Sequence, residues 1–434
     1  MRPSAGMSGY HRLALRLNKF PQGAPPSKTL YAILAMLFSP QEADLVSKLP
    51  IRVFTARRAA KAWGMGVPAA RRALDRLCSK ALLVDIEQEG RMTYCLPPPM
   101  AGFFEFSLMR RRTDIDQKAL ARHLYRYINM DEDFAAALFA RGHTQLGRVF
   151  VNEPQIPPGY ELEVLDHERA SDTIATARAI GVSRCYCRHK MALAHNVCDA
   201  PQDICLTLNL TAESLVRHGH ARLIESGEAL DILAAARAKG LVQFGENVRR
   251  EVNFICNCCK CCCEGMVAAR RFAMQHPVNT TNFLAAIHPE TCKGCGQCAR
   301  ICPIEAIAAD AGSSKAPAVA RLDPDLCLGC GLCAQACPTA AIHLVPRARR
   351  AVTPLNTAHR VVLMAIERNT LQHIIFDNQV LHSHRALAVL LGVIIKLPPV
   401  QRLLASRQLR SRYLAAMVQR LHWQPVGANP HTSS

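Results

Sequence analysis

One cysteine pattern, written twice near residue 300, constrains this fold more than any other stretch of the chain. The first copy runs Cys292-Lys-Gly-Cys295-Gly-Gln-Cys298-Ala-Arg-Ile-Cys302-Pro303, and the second Cys327-Leu-Gly-Cys330-Gly-Leu-Cys333-Ala-Gln-Ala-Cys337-Pro338. Each is Cys-x2-Cys-x2-Cys-x3-Cys-Pro, the run that holds a pair of [4Fe–4S] cubanes. A cubane needs four convergent thiolates, and a tight loop delivers three of them at this spacing. Glycines let the backbone turn closely around the inorganic core and aim its amides at the sulfurs. The fourth cysteine lies past a short helical turn and ligates the neighbouring cluster. The expected sets are therefore Cys292, Cys295, Cys298 and Cys337 on one cubane, and Cys327, Cys330, Cys333 and Cys302 on the other. A zinc site wants only four ligands in paired units, and disulfides do not suit ligand-spaced thiols in a chain without a secretion signal.

The repeat extends beyond the ligands. Residues 292–307 and 327–342 share ten of sixteen identities at an offset of thirty-five, including Gly294/Gly329, Gly296/Gly331 and Ala306-Ile307/Ala341-Ile342. About residues 283–346 resemble the two-cluster bacterial ferredoxin module. The resemblance implies a small pseudo-twofold α+β domain, with short strands around Ala318–Leu322 and Ile342–Val345, and clusters close enough for electron hopping.

A chain of 434 residues, half of them apolar, has material for about three domains. Eighteen of its twenty cysteines fall within residues 185–337, with only Cys78 and Cys95 before them. Dense thiols and oxygen-sensitive clusters point to a reducing, cytoplasmic compartment. Residues 1–28 carry basic groups without a signal-peptide core and read as a disordered or loosely docked arm. The net charge of +19 is uneven: residues 1–282 contribute +10, residues 283–345 contribute −1, and the last eighty-nine contribute +10. A basic surface suits nucleic acid, anionic lipid or an acidic redox partner, and charge alone does not choose.

Residues 29–100 read as a winged-helix-like domain. Ser39-Pro40-Gln41-Glu42 is a capping box that starts a helix to about Leu49. Thr55 opens a second helix ending at Trp63-Gly64, and Val67-Pro68 starts a third, with Ala70, Leu74, Leu77 and Ala81 at helical spacing. A hairpin turning at Glu89-Gly90 follows, and Pro97-Pro98-Pro99 closes the unit. Arg71, Arg72, Arg76 and Lys80 line the polar side of the third helix, where a recognition helix would meet the major groove. A solvated basic face is the plainer account, so DNA is the less favoured partner.

Residues 101–282 form a Cys-rich α/β middle domain. Helices are expected at Asp116–Asn129, Asp131–Arg141 and Ser171–Ile180, a linker at Pro154–Gly159, and a strand at Glu161–Leu165. The chemistry lies in Cys185-Tyr-Cys187-Arg188, in Cys198-x6-Cys205, and in Cys256-Asn-Cys258-Cys259-Lys-Cys261-Cys262-Cys263. A helix beginning near Ser226 and ending at Gly240 separates these groups in sequence and leaves them free to converge. Soft thiolates at close spacing select iron–sulfur clusters or zinc. A third iron–sulfur centre leads, with zinc and a redox dithiol as alternatives. Cys185, Cys187, Cys198 and Cys205 are one candidate set, and Cys256, Cys258 and Cys259 compete with it. His189 and His195 lie nearby and read as surface histidines.

The order winged helix, Cys-Tyr-Cys-Arg, Cys-x6-Cys, Cys-Asn-Cys-Cys-x-Cys-Cys-Cys and two-cubane module resembles a group of multidomain bacterial ferredoxin-type proteins over about residues 29–346. That resemblance implies iron–sulfur redox work and supplies no catalytic residue. The fold class expected is α+β multidomain, closed by a basic helical tail at 347–434. In that tail, Ala386–Leu397 is apolar but too short to span a bilayer, and Arg402, Arg407, Arg410, Arg412 and Arg420 follow it. A packed helical hairpin is favoured there over peripheral membrane contact. Gly64-Met-Gly66 lacks the third glycine and the preceding strand of a dinucleotide fingerprint. The chain therefore reads as an electron carrier, or the electron-transfer subunit of an oxidoreductase, dependent on protein donors and acceptors. The runner-up is a redox-sensing transcription regulator.

Overall fold

The structure, a computed structural model, describes residues 8–375 apart from 141, 157, 160–163, 272–277, 279, 310–317, 349 and 352. The apolar run Ala386–Leu397 and the arginines after it lie outside these residues.

The N-terminal third is helical, and its local signals are honoured. The Ser39 hydroxyl accepts from the Glu42 amide, the Glu42 carboxylate accepts from the Ser39 amide, and Pro40 sits at the first helical position of Pro40–Ser47. The helix Ala56–Trp63 ends at Gly64, whose φ of +67° closes it in the left-handed region. The helix Val67–Ser79 buries Ala70, Ala73, Leu74, Leu77 and Cys78 on one face. After it, β1 (Val84–Gln88) and β2 (Arg91–Cys95) pair as an antiparallel hairpin. Glu89 and Gly90 both adopt positive φ, the two-residue turn that matches strand twist.

Two expectations change here. Residues Gly9–Leu17 form a helix capped by Ser8, not a loose arm, and Leu13, Ala14 and Leu17 are fully buried. Burying each leucine contributes roughly 1.5–3 kcal/mol, enough to hold a short helix that its basic residues disguised. Nor does the apolar core stop near residue 100. Phe103, Phe104, Phe106 and Leu108 continue it into the helix Gln117–Tyr125, and Val362, Ala365 and Ile366 of the helix Thr357–Glu367 close it from the far end.

The middle region is built on a six-stranded sheet. Its strands are β3 (Gly147–Val149), β4 (Ile180–Arg184), β5 (Asp203–Leu208), β6 (Arg222–Ile224), β7 (Val242–Glu246) and β8 (Phe254–Cys258), in the spatial order β3-β7-β8-β5-β4-β6. Every pairing is antiparallel, so this region is α+β and not the α/β unit expected. The helix expected over Ser171–Ile180 covers only Ala170–Ala175. Ile180 instead opens β4 and pairs with both Leu208 and Ile224, a central position that suits a β-branched side chain. Of the strand expected at Glu161–Leu165, residues 161–163 lie outside the described set, and Leu165 caps a short 3-10 turn, Asp166–Glu168. The helix Ser226–Ala238 stands as expected.

The repeat carries two small sheets. β9 (Phe283–Ile287) pairs with β12 (Ile342–Pro346), joining the two ends of the unit, and β10 (Ile307–Ala309) pairs with β11 (Ala320–Leu322) between the motifs. This unit is packed onto the middle sheet. Val149, Val242, Cys258, Cys263 and Met266 share one apolar cluster with Cys298, Cys302, Ile304, Leu328 and Leu332. Polar contacts pin the junction: Lys260 Nζ donates to the Arg300 carbonyl at 3.0 Å, Gln335 Nε2 to the Arg237 carbonyl at 2.9 Å, and Asn152 Nδ2 to Gln335 Oε1 at 3.0 Å. Among the described residues, no helix is long and apolar enough to cross a membrane.

Candidate metal centres

Each repeated motif makes the same local structure. Gly294, Gly296, Gly329 and Gly331 all have positive φ, and short helices, Gln297–Ile301 and Leu332–Gln335, begin immediately after the second glycine of each pair. At Gly329 a β-carbon would stand 2.1 Å from the Phe283 carbonyl oxygen, so only glycine lets the loop lie against β9. Backbone amides point at the sulfurs. The Ala306 amide donates to Cys302 Sγ at 3.2 Å, the Gly329 amide to Cys327 Sγ at 3.4 Å, and the Ala320 amide to Cys292 Sγ at 3.5 Å. Such bonds stabilise negative charge on thiolate ligands and raise a cluster's potential.

Cys302 leaves its own loop. It lines a cavity of about 20 Å³ together with Cys327, Cys330 and Cys333, walled by Ala285, Ile304, Ile307 and Leu332. Burial pushes the Cys302 and Cys330 thiols up, and Cys333 to about 12. Neutral thiols are thus favoured until a cation compensates the thiolate charge. Cys298 lies near the charges of Cys292 and Cys295 in the first loop, and Cys337 accepts support from Thr339.

The ten cysteines of the middle region converge on one end of the sheet and divide there. Cys256 and Cys258 alternate with Asn257 on β8, so both thiols share a face. Cys205 on β5 lies beside Cys256, with sulfurs 3.7 Å apart. Cys185 and Cys187 flank the start of the helix Tyr186–Ala194, and Cys263 precedes the helix Glu264–Arg271. Thiol contacts link these six in the sequence Cys185, Cys187, Cys263, Cys258, Cys256, Cys205. Hydrogen bonds from their neighbours hold Cys256 and Cys263 well below the free-thiol range, against the opposing effect of burial.

The other four form a tighter group. Sγ atoms of Cys198, Cys259, Cys261 and Cys262 all lie within 4.8 Å of one another. A hydrogen bond from Cys262, reinforced by the Arg188 charge and opposed by burial, brings Cys259 down to about 5. The candidate set Cys185, Cys187, Cys198 and Cys205 is therefore split, since Cys198 joins Cys259 while the other three join Cys256 and Cys258. Cys261, Cys262 and Cys263 were absent from that candidate set. Their signal was the triple-cysteine run itself, whose neighbouring side chains diverge, Cys263 toward one group and its two predecessors toward the other.

Arg188 stands between the groups. It is 1% exposed, both its terminal nitrogens donate to the Asn257 carbonyl at 3.2 and 3.1 Å, and its charge acts on Cys185, Cys258 and Cys259. A buried cation favours thiolates around it. Asn257 in turn donates to the Ile204 carbonyl at 2.8 Å, which fixes β8 against β5. The six-thiol group forms one wall of a cavity of about 290 Å³, lined elsewhere by Phe106, Met109, Phe139, Phe244 and Met364. Glu105 also faces it, and burial keeps its carboxyl well above the usual carboxylate range. His189 is buried, with Nδ1 2.7 Å from the Leu108 carbonyl, and is not the surface histidine expected; His195 is exposed, its ring edge-on to Tyr125.

Residues 291–341 match the family model of the 4Fe-4S dicluster domain. The chain thus carries an iron–sulfur cluster-binding domain, joined to a region of further clustered cysteines. No curated protein and no solved structure matches the chain.

Proposed function

We propose that this chain is an iron–sulfur electron-transfer protein, or the electron-transfer subunit of an oxidoreductase, with two cubanes and a third redox centre on the six middle-region thiols. The cubane ligands are Cys292, Cys295, Cys298 and Cys337 in one set and Cys327, Cys330, Cys333 and Cys302 in the other. Support for the crossing comes from the cavity that Cys302 shares with the second motif. The observation that carries the electron-transfer reading is the shared packing of Cys298 and Cys302 with Cys258 and Cys263. Ligand-bearing segments of both regions meet in one apolar cluster, so electrons have a short dry route between them. When bound, the clusters supply one-electron steps; the chain's residues set their potentials through burial, amide bonds to sulfur and the Arg188 charge. Donor and acceptor are external proteins. Anaerobic iron and sulfide counting with a potentiometric paramagnetic titration tests this reading. It expects about eight irons from the two cubanes plus those of a third centre. A count that stays at eight, with every signal lost on mutating the repeat, would remove the third centre.

The regulator reading retains one supporting observation. Arg71, Arg72 and Arg76 are exposed on the helix Val67–Ser79, which precedes a hairpin in winged-helix order. Lys80 differs, since it pairs with Glu42 at 2.7 Å.

A further inference from the structure

Four of the middle-region thiols are too close together to serve a cubane. In a cubane each thiolate caps a different iron, which holds the four sulfurs far apart across the cluster. Around a single tetrahedral zinc, bonds of about 2.3 Å place the sulfurs roughly 3.8 Å from one another. The quartet Cys198, Cys259, Cys261 and Cys262 has this second scale. Its six mutual distances are all within 4.8 Å, with Cys198 to Cys262 at 4.0 Å and Cys261 to Cys262 at 3.6 Å. The ligands also arrive from two separate loops, which closes a coordination shell without strain on one tight turn. Cys198 follows the helix Tyr186–Ala194, and the other three occupy the turn between β8 and the helix Glu264–Arg271.

We propose that these four cysteines bind one zinc ion as a closed structural site, separate from the redox centre of the six-thiol group. Four thiolates leave no open position for substrate. What the site holds is visible in its neighbours. Lys260, between two of the ligands, reaches the Arg300 carbonyl in the first cubane's helix, and Arg270 donates to the Lys260 carbonyl at 2.6 Å. Zinc on Cys259, Cys261 and Cys262 fixes the turn that receives the dicluster unit, and Cys198 ties that turn to the loop leading into β5.

The test uses the full chain purified anaerobically, with metals counted by mass spectrometry and the zinc site read by X-ray absorption. The expected result is about one zinc per chain, bound by four sulfurs at about 2.3 Å. Cys198→Ser and Cys261→Ser should lose the zinc at least tenfold more readily to a chelator while the iron count stays at the wild-type value. Cys205→Ser, in the other group, should keep its zinc. Cys261→His guards against misfolding, because it still ligates, and should turn the four-sulfur shell into three sulfurs and one nitrogen. The proposal falls if the wild-type chain holds no zinc, if iron occupies the quartet, or if Cys205→Ser releases the zinc as well.

Discussion

Cys302 belongs by sequence to the first cysteine motif, yet it faces the same small cavity as Cys327, the opening residue of the second. The polypeptide leaves the helix Gln297–Ile301 at Cys302, whose φ of −59° and ψ of 121° turn the chain out of the helix toward its neighbour. The proposed crossed ligation would make each cluster depend on both halves of the repeat.

Cys302→Ala should therefore damage the cubane of the second motif. Paramagnetic spectra of the reduced variant should lose the signal that Cys327→Ala also loses, and retain the one lost in Cys295→Ala. The reverse assignment would show that each motif closes on its own cluster.

Lys190 and Glu264 form an ion pair at 2.6 Å with side chains 0% and 4% exposed, and Asn129 bonds to both. Removing one partner strands a buried charge. Glu264→Leu should cost about 3–5 kcal/mol. The double variant Lys190→Met/Glu264→Leu should recover most of that loss, because no uncompensated charge remains. Denaturant midpoints of the wild type, the single variants Glu264→Leu and Lys190→Met, and the double variant check this, and a double variant less stable than either single would contradict it.

Asp85 ties the β1–β2 hairpin to the middle region. It accepts from Ser214 at 2.5 Å and pairs with Arg217 at 2.8 Å and His218 at 3.1 Å. Burial raises its carboxyl, but the hydrogen bonds from His218 and Ser214 and the charges of His218 and Arg217 outweigh burial and hold it at about 2. An unfolded aspartate titrates near 3.9, so the native state prefers the carboxylate. Its stabilisation is complete above about pH 4 and fades as pH falls toward 2. Asp85→Ala should cost about 3 kcal/mol at pH 7. That penalty should shrink steadily below pH 4, followed by Trp63 fluorescence in the N-terminal core. A penalty independent of pH would assign the effect to packing alone.

Selection of bound fragments from random DNA separates electron carrier from regulator. A site-specific reader would discriminate by at least about 10³ over bulk DNA, with affinity falling steeply as salt rises. The carrier reading expects weak binding without a recurring site. Asp75 interrupts the exposed arginines, and Lys80 is already engaged by Glu42. A site enriched in only one redox state would favour the regulator.

The dicluster unit was legible because inorganic geometry dictates spacing within a few residues, and the capping box at Ser39 was legible for the same local reason. The partition of the middle cysteines was not. Cys258 and Cys259 are neighbours in sequence, but a strand ends between them, and the side chains part at that point. Spacing cannot reveal where β8 stops. Arg188 was equally hidden: an arginine in a Cys-Tyr-Cys-Arg run reads as polar surface until the strand beneath it supplies the Asn257 carbonyl. The helix Gly9–Leu17 was missed because its basic residues dominated the composition while three apolar positions carried the packing.

Shared packing between the dicluster unit and the middle sheet has a kinetic consequence. Ile301 packs against Gly240 of the middle region, and Ile304 and Leu328 share an apolar cluster with its Val149, Val242 and Met266, so the unit is not free to swing as a tethered shuttle does. On the electron-carrier reading, tunnelling distances inside the chain would be set once, at folding, and turnover would be governed by how outside proteins dock and leave.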